Sequence, residues 1–194
     1  MKCPSCEILP ALGELQTLKT LVIEEFSSVT AVDRCFCGTS SVTTDVYFPS
    51  LESLTFKKLV KLQNWTGLEV NDMPRLRILK IENCPEFINL PSLKNLTSLV
   101  ELKIERCPTM ISLPELPPSL ESLKIRESNL LKDRCAIECE DWKKVDCIPY
   151  VEIDDTRIPT SGANNVPTLP TRPHQNIVYQ LFLDVIDDHL GSVV

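Results

Sequence analysis

Glycine and histidine are the scarce residues of this chain. It has five glycines in 194 residues, Gly13, Gly38, Gly67, Gly162 and Gly191. No two lie close enough to build a phosphate-cradling loop, which excludes P-loop and dinucleotide fingerprints. Histidine occurs only at His174 and His189, near the C-terminus. Their position removes most zinc-hydrolase and His-based nucleophilic arrangements. Positive charge is also short: 20 Lys and Arg against 27 Asp and Glu give a net charge of -7. That balance argues against a general binder of nucleic acids or anionic membranes, which need a basic surface. No apolar run approaches the roughly 18 residues a membrane span needs. The N-terminus, Met1-Lys2-Cys3-Pro4-Ser5-Cys6, has no apolar h-region of a secretory signal. The expected setting is therefore the cytoplasm or nucleus, where nine cysteines, an odd number, are not a disulfide framework.

Leucine is the residue in excess, at 27 of 194. Leu-x-x-Leu-x-apolar occurs at Leu18–Ile23, Leu51–Phe56, Leu76–Ile81, Leu99–Ile104 and Leu120–Ile125, with a degenerate copy at Ile148–Ile153. Successive copies start 33, 25, 23, 21 and 28 residues apart, against a window of about 20–29 residues for leucine-rich repeats. A second signature, Cys-Pro-x4-Leu-Pro, runs in register with the first from Cys3, Cys84 and Cys107. The spacing predicts short parallel strands centred on Leu21, Leu54, Leu79, Leu102, Leu123 and, weakly, Val151. Alternation sends Leu21/Ile23, Leu54/Phe56, Leu79/Ile81, Leu102/Ile104 and Leu123/Ile125 into a core. It sends Thr20, Val22, Glu24, Ser53, Thr55, Lys57, Ile78, Lys80, Glu82, Glu101, Lys103, Glu105, Ser122, Lys124 and Arg126 to the opposite, concave face. On that face Lys80, Lys103 and Lys124 should form a basic column beside an acidic one of Glu82 and Glu105. Prolines after the strands should turn the chain onto an irregular convex side. The fold class expected is α/β: a curved, right-handed leucine-rich-repeat solenoid over residues 1–156, with a loop insertion from Val29 to Tyr47.

Cys84 and Cys107, three residues past Ile81 and Ile104, read as small buried hydrophobes with a weak donor. Cys3-Pro4-Ser5-Cys6 has the spacing of a redox or zinc element, but zinc needs four ligands and Cys35-Phe36-Cys37 is the nearest other pair. Asp184, Asp187, Asp188 and His189, and the Asp154-Asp155 pair, read as solvated helix face or loop. No catalytic set, metal site or cofactor site is assigned. Four prolines from Pro159 to Pro173 mark 157–176 as a linker. Ile177, Val178, Leu181, Phe182, Val185 and Ile186 recur at helical spacing, so 177–194 is expected to be an amphipathic helical tail.

Several stretches resemble the C-terminal leucine-rich repeats of plant nucleotide-binding leucine-rich-repeat disease resistance proteins of the coiled-coil type. Leu9-Pro10-Ala11-Leu12-Gly13-Glu14-Leu15 is similar to that family's LP-x-LG-x-L run. Phe48-Pro49-Ser50-Leu51-Glu52-Ser53-Leu54, the Leu62-to-Trp65 step, and the Ile-x-x-Cys-Pro of Ile81–Pro85 and Ile104–Pro108 look like its strand signatures. Asp141-Trp142-Lys143-Lys144-Val145 with Ile148-Pro149 resembles its terminal motif, with Cys147 in place of the usual histidine. The resemblance spans about residues 3 to 156. It implies a non-enzymatic module that binds proteins through the concave face: the receptor's own nucleotide-binding domain, a pathogen effector, or a guarded host protein. ADP or ATP is implied only for a nucleotide-binding domain that no residue here matches. The strand belonging to the first Cys-Pro-x4-Leu-Pro would precede Met1, so the chain is expected to begin within the repeat array. The rival reading is a stand-alone leucine-rich-repeat scaffold, adaptor or truncated decoy.

Overall fold

The computed structural model describes residues 5–38, 46–136 and 139–165. In chain order the elements are β1 (Thr20–Glu24), β2 (Ala31–Val32), α1 (Arg34–Cys37), β3 (Ser53–Lys57), β4 (Asn64–Trp65), β5 (Ile78–Glu82), β6 (Glu101–Glu105), β7 (Ser122–Arg126), α2 (Asn129–Cys135), α3 (Trp142–Val145), β8 (Tyr150–Ile153) and β9 (Thr156–Ile158). The protein is thus mixed α/β, with a mostly parallel sheet and, among the described residues, few and short helices.

Strand order in the main sheet is β1-β3-β5-β6-β7-β8-β9, parallel from β1 to β8. The register carries the repeat: Leu21, Leu54, Leu79, Leu102, Leu123 and Val151 are successive partners, and so are Ile23, Phe56, Ile81, Ile104, Ile125 and Ile153. Both rows are 6% exposed or less, and the first Leu positions Leu51, Leu76, Leu99 and Leu120 lie in the same core. A slip of one residue would turn both rows to solvent, so burial fixes the register.

What turns the chain off the sheet is a left-handed residue directly after each parallel strand. Glu25, Lys58, Asn83, Arg106, Glu127 and Asp154 all have positive φ, between 45° and 62°. None is glycine, so each carries a steric penalty. The penalty is offset by pairing: the N–H of Glu25, Lys58, Asn83 and Arg106 donates to the carbonyl of Lys57, Glu82, Glu105 and Arg126 on the next strand. The residue after it then points inward. Phe26, Leu59, Cys84, Cys107 and Ser128 fill this place, each 1% exposed or less. Burial pushes the Cys84 thiol up to about 11 and the Cys107 thiol up to about 12. Both remain thiols, facing the carbonyls of Glu82 and Glu105. Ser128 serves the same position with its hydroxyl, which donates to Arg126 O and accepts from Cys107 N–H. Among the described cysteines Cys6 alone is disulfide-bonded and the other seven are free thiols.

Part of the Val29–Tyr47 insertion is regular. β2 pairs in parallel with β4 in a second small sheet, and β4 makes a further bridge from Asn64 to Asn89. Phe36 of α1 packs 5.1 Å from Phe48 and 6.3 Å from Phe56. Gly13 lets α1 close: a Cβ there would lie 1.8 Å from Cys37 O. Residues 39–45 of the insertion lie outside the described residues.

The C-terminal end of the sheet carries a strand, β9, that runs across residue 156 into the span read as linker. β9 pairs antiparallel with β8, joining Ile153 to Thr156 through Asp154-Asp155. Both turn residues have positive φ, as a two-residue type I′ hairpin requires. A 3-10 turn follows at Ser161–Asn165. The helical tail expected at 177–194 lies outside the described residues.

Candidate functional site

The fifteen residues expected on one face lie there, opposite the two buried rows. Thr20, Val22 and Arg126 are exposed and the other twelve half-buried. Across the strands they form three columns. The middle one runs Val22, Thr55, Lys80, Lys103, Lys124 and Glu152; beside it runs Glu24, Lys57, Glu82, Glu105 and Arg126. The third is Thr20, Ser53, Ile78, Glu101, Ser122 and Tyr150. The expected basic column is therefore in register, and the acidic pair Glu82 and Glu105 sits between Lys57 and Arg126.

These charges are not equivalent. Lys103 Nζ lies 3.0 Å from Glu82 and 2.7 Å from Glu105. The Lys103 hydrogen bond holds the Glu105 carboxyl below its ordinary range. The two carboxylates hold the Lys103 ammonium above its own despite partial burial. Lys57 and Lys58 share Glu24 at 3.5 and 3.6 Å, and Arg126 reaches Asp155 at 3.0 Å. Lys80 and Lys124 make no ion pair with a described residue. Lys124 instead lies 5.9 Å from the Tyr150 ring centroid, and Arg157 of β9 lies 5.2 Å from the same ring. The Tyr150 hydroxyl donates to Glu152 at 2.5 Å.

The left-handed residues form a ridge beside this face, and a groove of about 620 Å³ follows it past Glu25, Lys58, Asn83, Arg106 and Glu127, with Val60, Pro85 and Pro108 as apolar lining. Its cations are tied down, Lys58 to Glu25 at 3.0 Å and Arg106 to Glu127 through two bonds of 3.0 Å. At the insertion, Arg34 of α1 donates to buried Asp72 at 2.5 Å and stacks 4.7 Å from the Tyr47 ring centroid. Burial raises the Asp72 carboxyl above its ordinary range.

No three His, Cys, Asp or Glu side chains converge as metal ligands among the described residues. Asp154 accepts from Glu127 N–H at 2.8 Å and pairs with Lys132. Asp184, Asp187, Asp188 and His189 lie outside the described residues. The sequence reading left Tyr150, Glu152 and Arg157 off the face. For Tyr150 and Glu152 the signal was present, because alternation about Val151 sends both to the side of Lys124. Arg157 needed the hairpin.

No family model matches the chain, and no solved structure matches it either. Known proteins do. The probable disease resistance proteins RF45 and RDL5 of Arabidopsis thaliana are each 30% identical over 150 residues, 77% of this chain and 12% of theirs. The putative disease resistance RPP13-like protein 1 of the same plant is 34% identical over 106 residues, 49% of this chain and 10% of its own length. The chain is thus related to plant proteins named for disease resistance, and spans about a tenth of the length of those relatives.

Proposed function

We propose that the chain is a leucine-rich-repeat solenoid within a plant immune receptor, serving defence by protein–protein binding rather than catalysis. The observation that carries this is the in-register stack of six parallel strands. One face of it is a closed core, and the other carries two columns rich in charge beside a third that is mostly uncharged. Similarity to disease resistance proteins over 150 residues supports the setting. In this reading the concave face holds the receptor off by docking on its nucleotide-binding domain. It releases that domain when an effector or a modified host protein competes, so that binding energy differs between off and on states. ADP or ATP belongs to that other domain. Nucleic acid and membrane have no part, and the receptor works in the cytoplasm or nucleus.

The test reverses two half-buried face charges that have no ion pair among the described residues, Lys80→Glu with Glu101→Lys, in a receptor carrying this chain. Equal accumulation with raised basal signalling, or with lost response, supports the reading. Unchanged basal activity and response overturn it for this face and move attention to the Val29–Tyr47 insertion. The scaffold alternative is separated by the native transcript: an in-frame nucleotide-binding segment upstream selects the receptor.

A further inference from the structure

The C-terminal end of the charged face differs from the rest of it, and the difference comes from β9. Pairing Glu152 with Arg157 extends the middle column by one strand, to Lys80, Lys103, Lys124, Glu152 and Arg157. Lys103 is committed to Glu82 and Glu105. Lys80, Lys124 and Arg157 pair with no carboxylate among the described residues, although the chain as a whole carries a net charge of -7. Lys124 and Arg157 instead lie by one tyrosine ring, at 5.9 and 5.2 Å from its centroid. The Tyr150 hydroxyl is fixed on Glu152, which lies between the two cations in the column. A tyrosine held by its hydroxyl and accompanied by cations has the composition of an interface anchor. It offers a rigid apolar surface at low entropic cost, with charges placed beside it.

We propose that Tyr150, Lys124 and Arg157 form the anchor point for an extended acidic segment of a protein partner. Lys124 and Arg157 stand two strands apart, about 10 Å at sheet spacing. An extended peptide crossing the strands advances about 3.3 Å per residue and turns alternate side chains to one face, so carboxylates four residues apart, about 13 Å, reach the two cations through the long Lys124 and Arg157 side chains. An apolar side chain between them lies on the Tyr150 ring. The partner is thus a segment of the pattern acidic-x-apolar-x-acidic, with its three recognised side chains on one face. Such a segment is complementary in charge to this end of the face, because Lys57, Lys103 and Arg126 are internally paired and Lys80 is a single cation with no ring contact among the described residues. This rests on the reading of the face as a protein-binding surface and names the chemistry it recognises.

The experiment uses the full chain and a fluorescein-labelled peptide, Ser-Glu-Ser-Phe-Ser-Glu-Gly, with the double Glu-to-Gln peptide as control, followed by fluorescence anisotropy. Saturable binding of the acidic peptide is expected, weakened by added salt. Tyr150→Ala should weaken it roughly tenfold or more and Arg157→Ala about threefold to fivefold. Tyr150→Phe, which keeps the ring, should lose less than Tyr150→Ala. Arg157 is exposed, so its variant keeps the fold, to be confirmed by an unchanged circular dichroism spectrum. Lys57→Ala, at the other end of the face, should bind as the parent does. Equal binding of the control peptide, or equal affinity of Arg157→Ala, overturns the proposal. The chain's own Asp184-x-Ile186-x-Asp188 has the same pattern. Tighter binding by the Asp184→Asn/Asp188→Asn variant would show the site to be filled in cis and overturn the assignment to a partner. Peptide binding that persists while the receptor test fails separates this anchor from the immune reading.

Discussion

Six residues, one after each parallel strand, hold the left-handed conformation that turns the chain away from the sheet. They share no side-chain type: two are Glu, and Lys, Asn, Arg and Asp supply the rest. Only Asn and Asp favour that region for local reasons. Glu25, Lys58 and Arg106 are held there because the N–H meets the next strand's carbonyl, and Glu127 because its N–H meets the Asp154 carboxylate, while in each case the following side chain enters the core. Asn83 isolates the backbone term, since its side chain makes no hydrogen bond with a described residue. Asn83→Val should cost about 1–2 kcal/mol in chemical denaturation, the left-handed penalty of a residue with a Cβ, raised by β-branching. Asn83→Gly should stay within about 0.5 kcal/mol of the parent, because glycine adopts positive φ freely but has more freedom to lose. Equal costs for the two would mean that the turn is set by side-chain contacts rather than by backbone strain.

Among the elements, the helical segment between β7 and β8 shows what a short-range motif does at long range. Asp141 stands at the N-cap position of α3 yet makes no capping bond. Its carboxylate, 2% exposed, accepts instead from Leu113 N–H at 2.8 Å and from Lys144 Nζ at 2.7 Å. Lys144 donates in turn to Leu113 O at 2.6 Å. The pair clasps α3 onto the coil before it, across 28 residues of sequence. Asp141→Ala should cost about 2–3 kcal/mol, because it strands a buried N–H. Asp141→Asn should cost less, since an amide oxygen still accepts from Leu113 while its NH2 faces the ammonium. Urea midpoints of the two variants check the order, and an unaffected Asp141→Ala would remove the clasp. The Leu and Ile rows were legible in the sequence, because strand alternation and a repeat of similar period act together at every copy. The clasp was legible only as a string, Asp141 to Val145, that resembles a family's terminal motif, since its partner Leu113 is remote. β9 was hidden for two reasons: its turn is Asp-Asp rather than Asn-Gly, and Pro159 beside it signals a linker. β2 and β4, two residues each, are too short to show any period.

At the scale of the molecule, each strand touches only its neighbours in order, apart from the small sheet of β2 and β4. In such an array stability is a sum of units and of interfaces between adjacent units. A cavity in the middle weakens interfaces on both sides, whereas the same cavity at an end weakens one. Leu102 on β6 is fully buried between Leu79 and Leu123. Leu21 holds the same row position on β1, the first strand of the described sheet, and is 6% exposed. Leu102→Ala should therefore cost about 2–5 kcal/mol. Leu21→Ala should fall at or below the lower end of that range, since an end site relaxes more easily and loses one packed neighbour. Hydrogen exchange distinguishes this from a uniform core. With Leu102→Ala, protection should drop in β5, β6 and β7 before it drops in β1; with Leu21→Ala it should drop in β1 and β3 alone. Uniform loss of protection in both variants would instead mean that the sheet unfolds as one unit. The charged end at Tyr150 would then depend on packing as distant as β1, and face variants would have to be judged against global stability before any loss of binding is assigned to them.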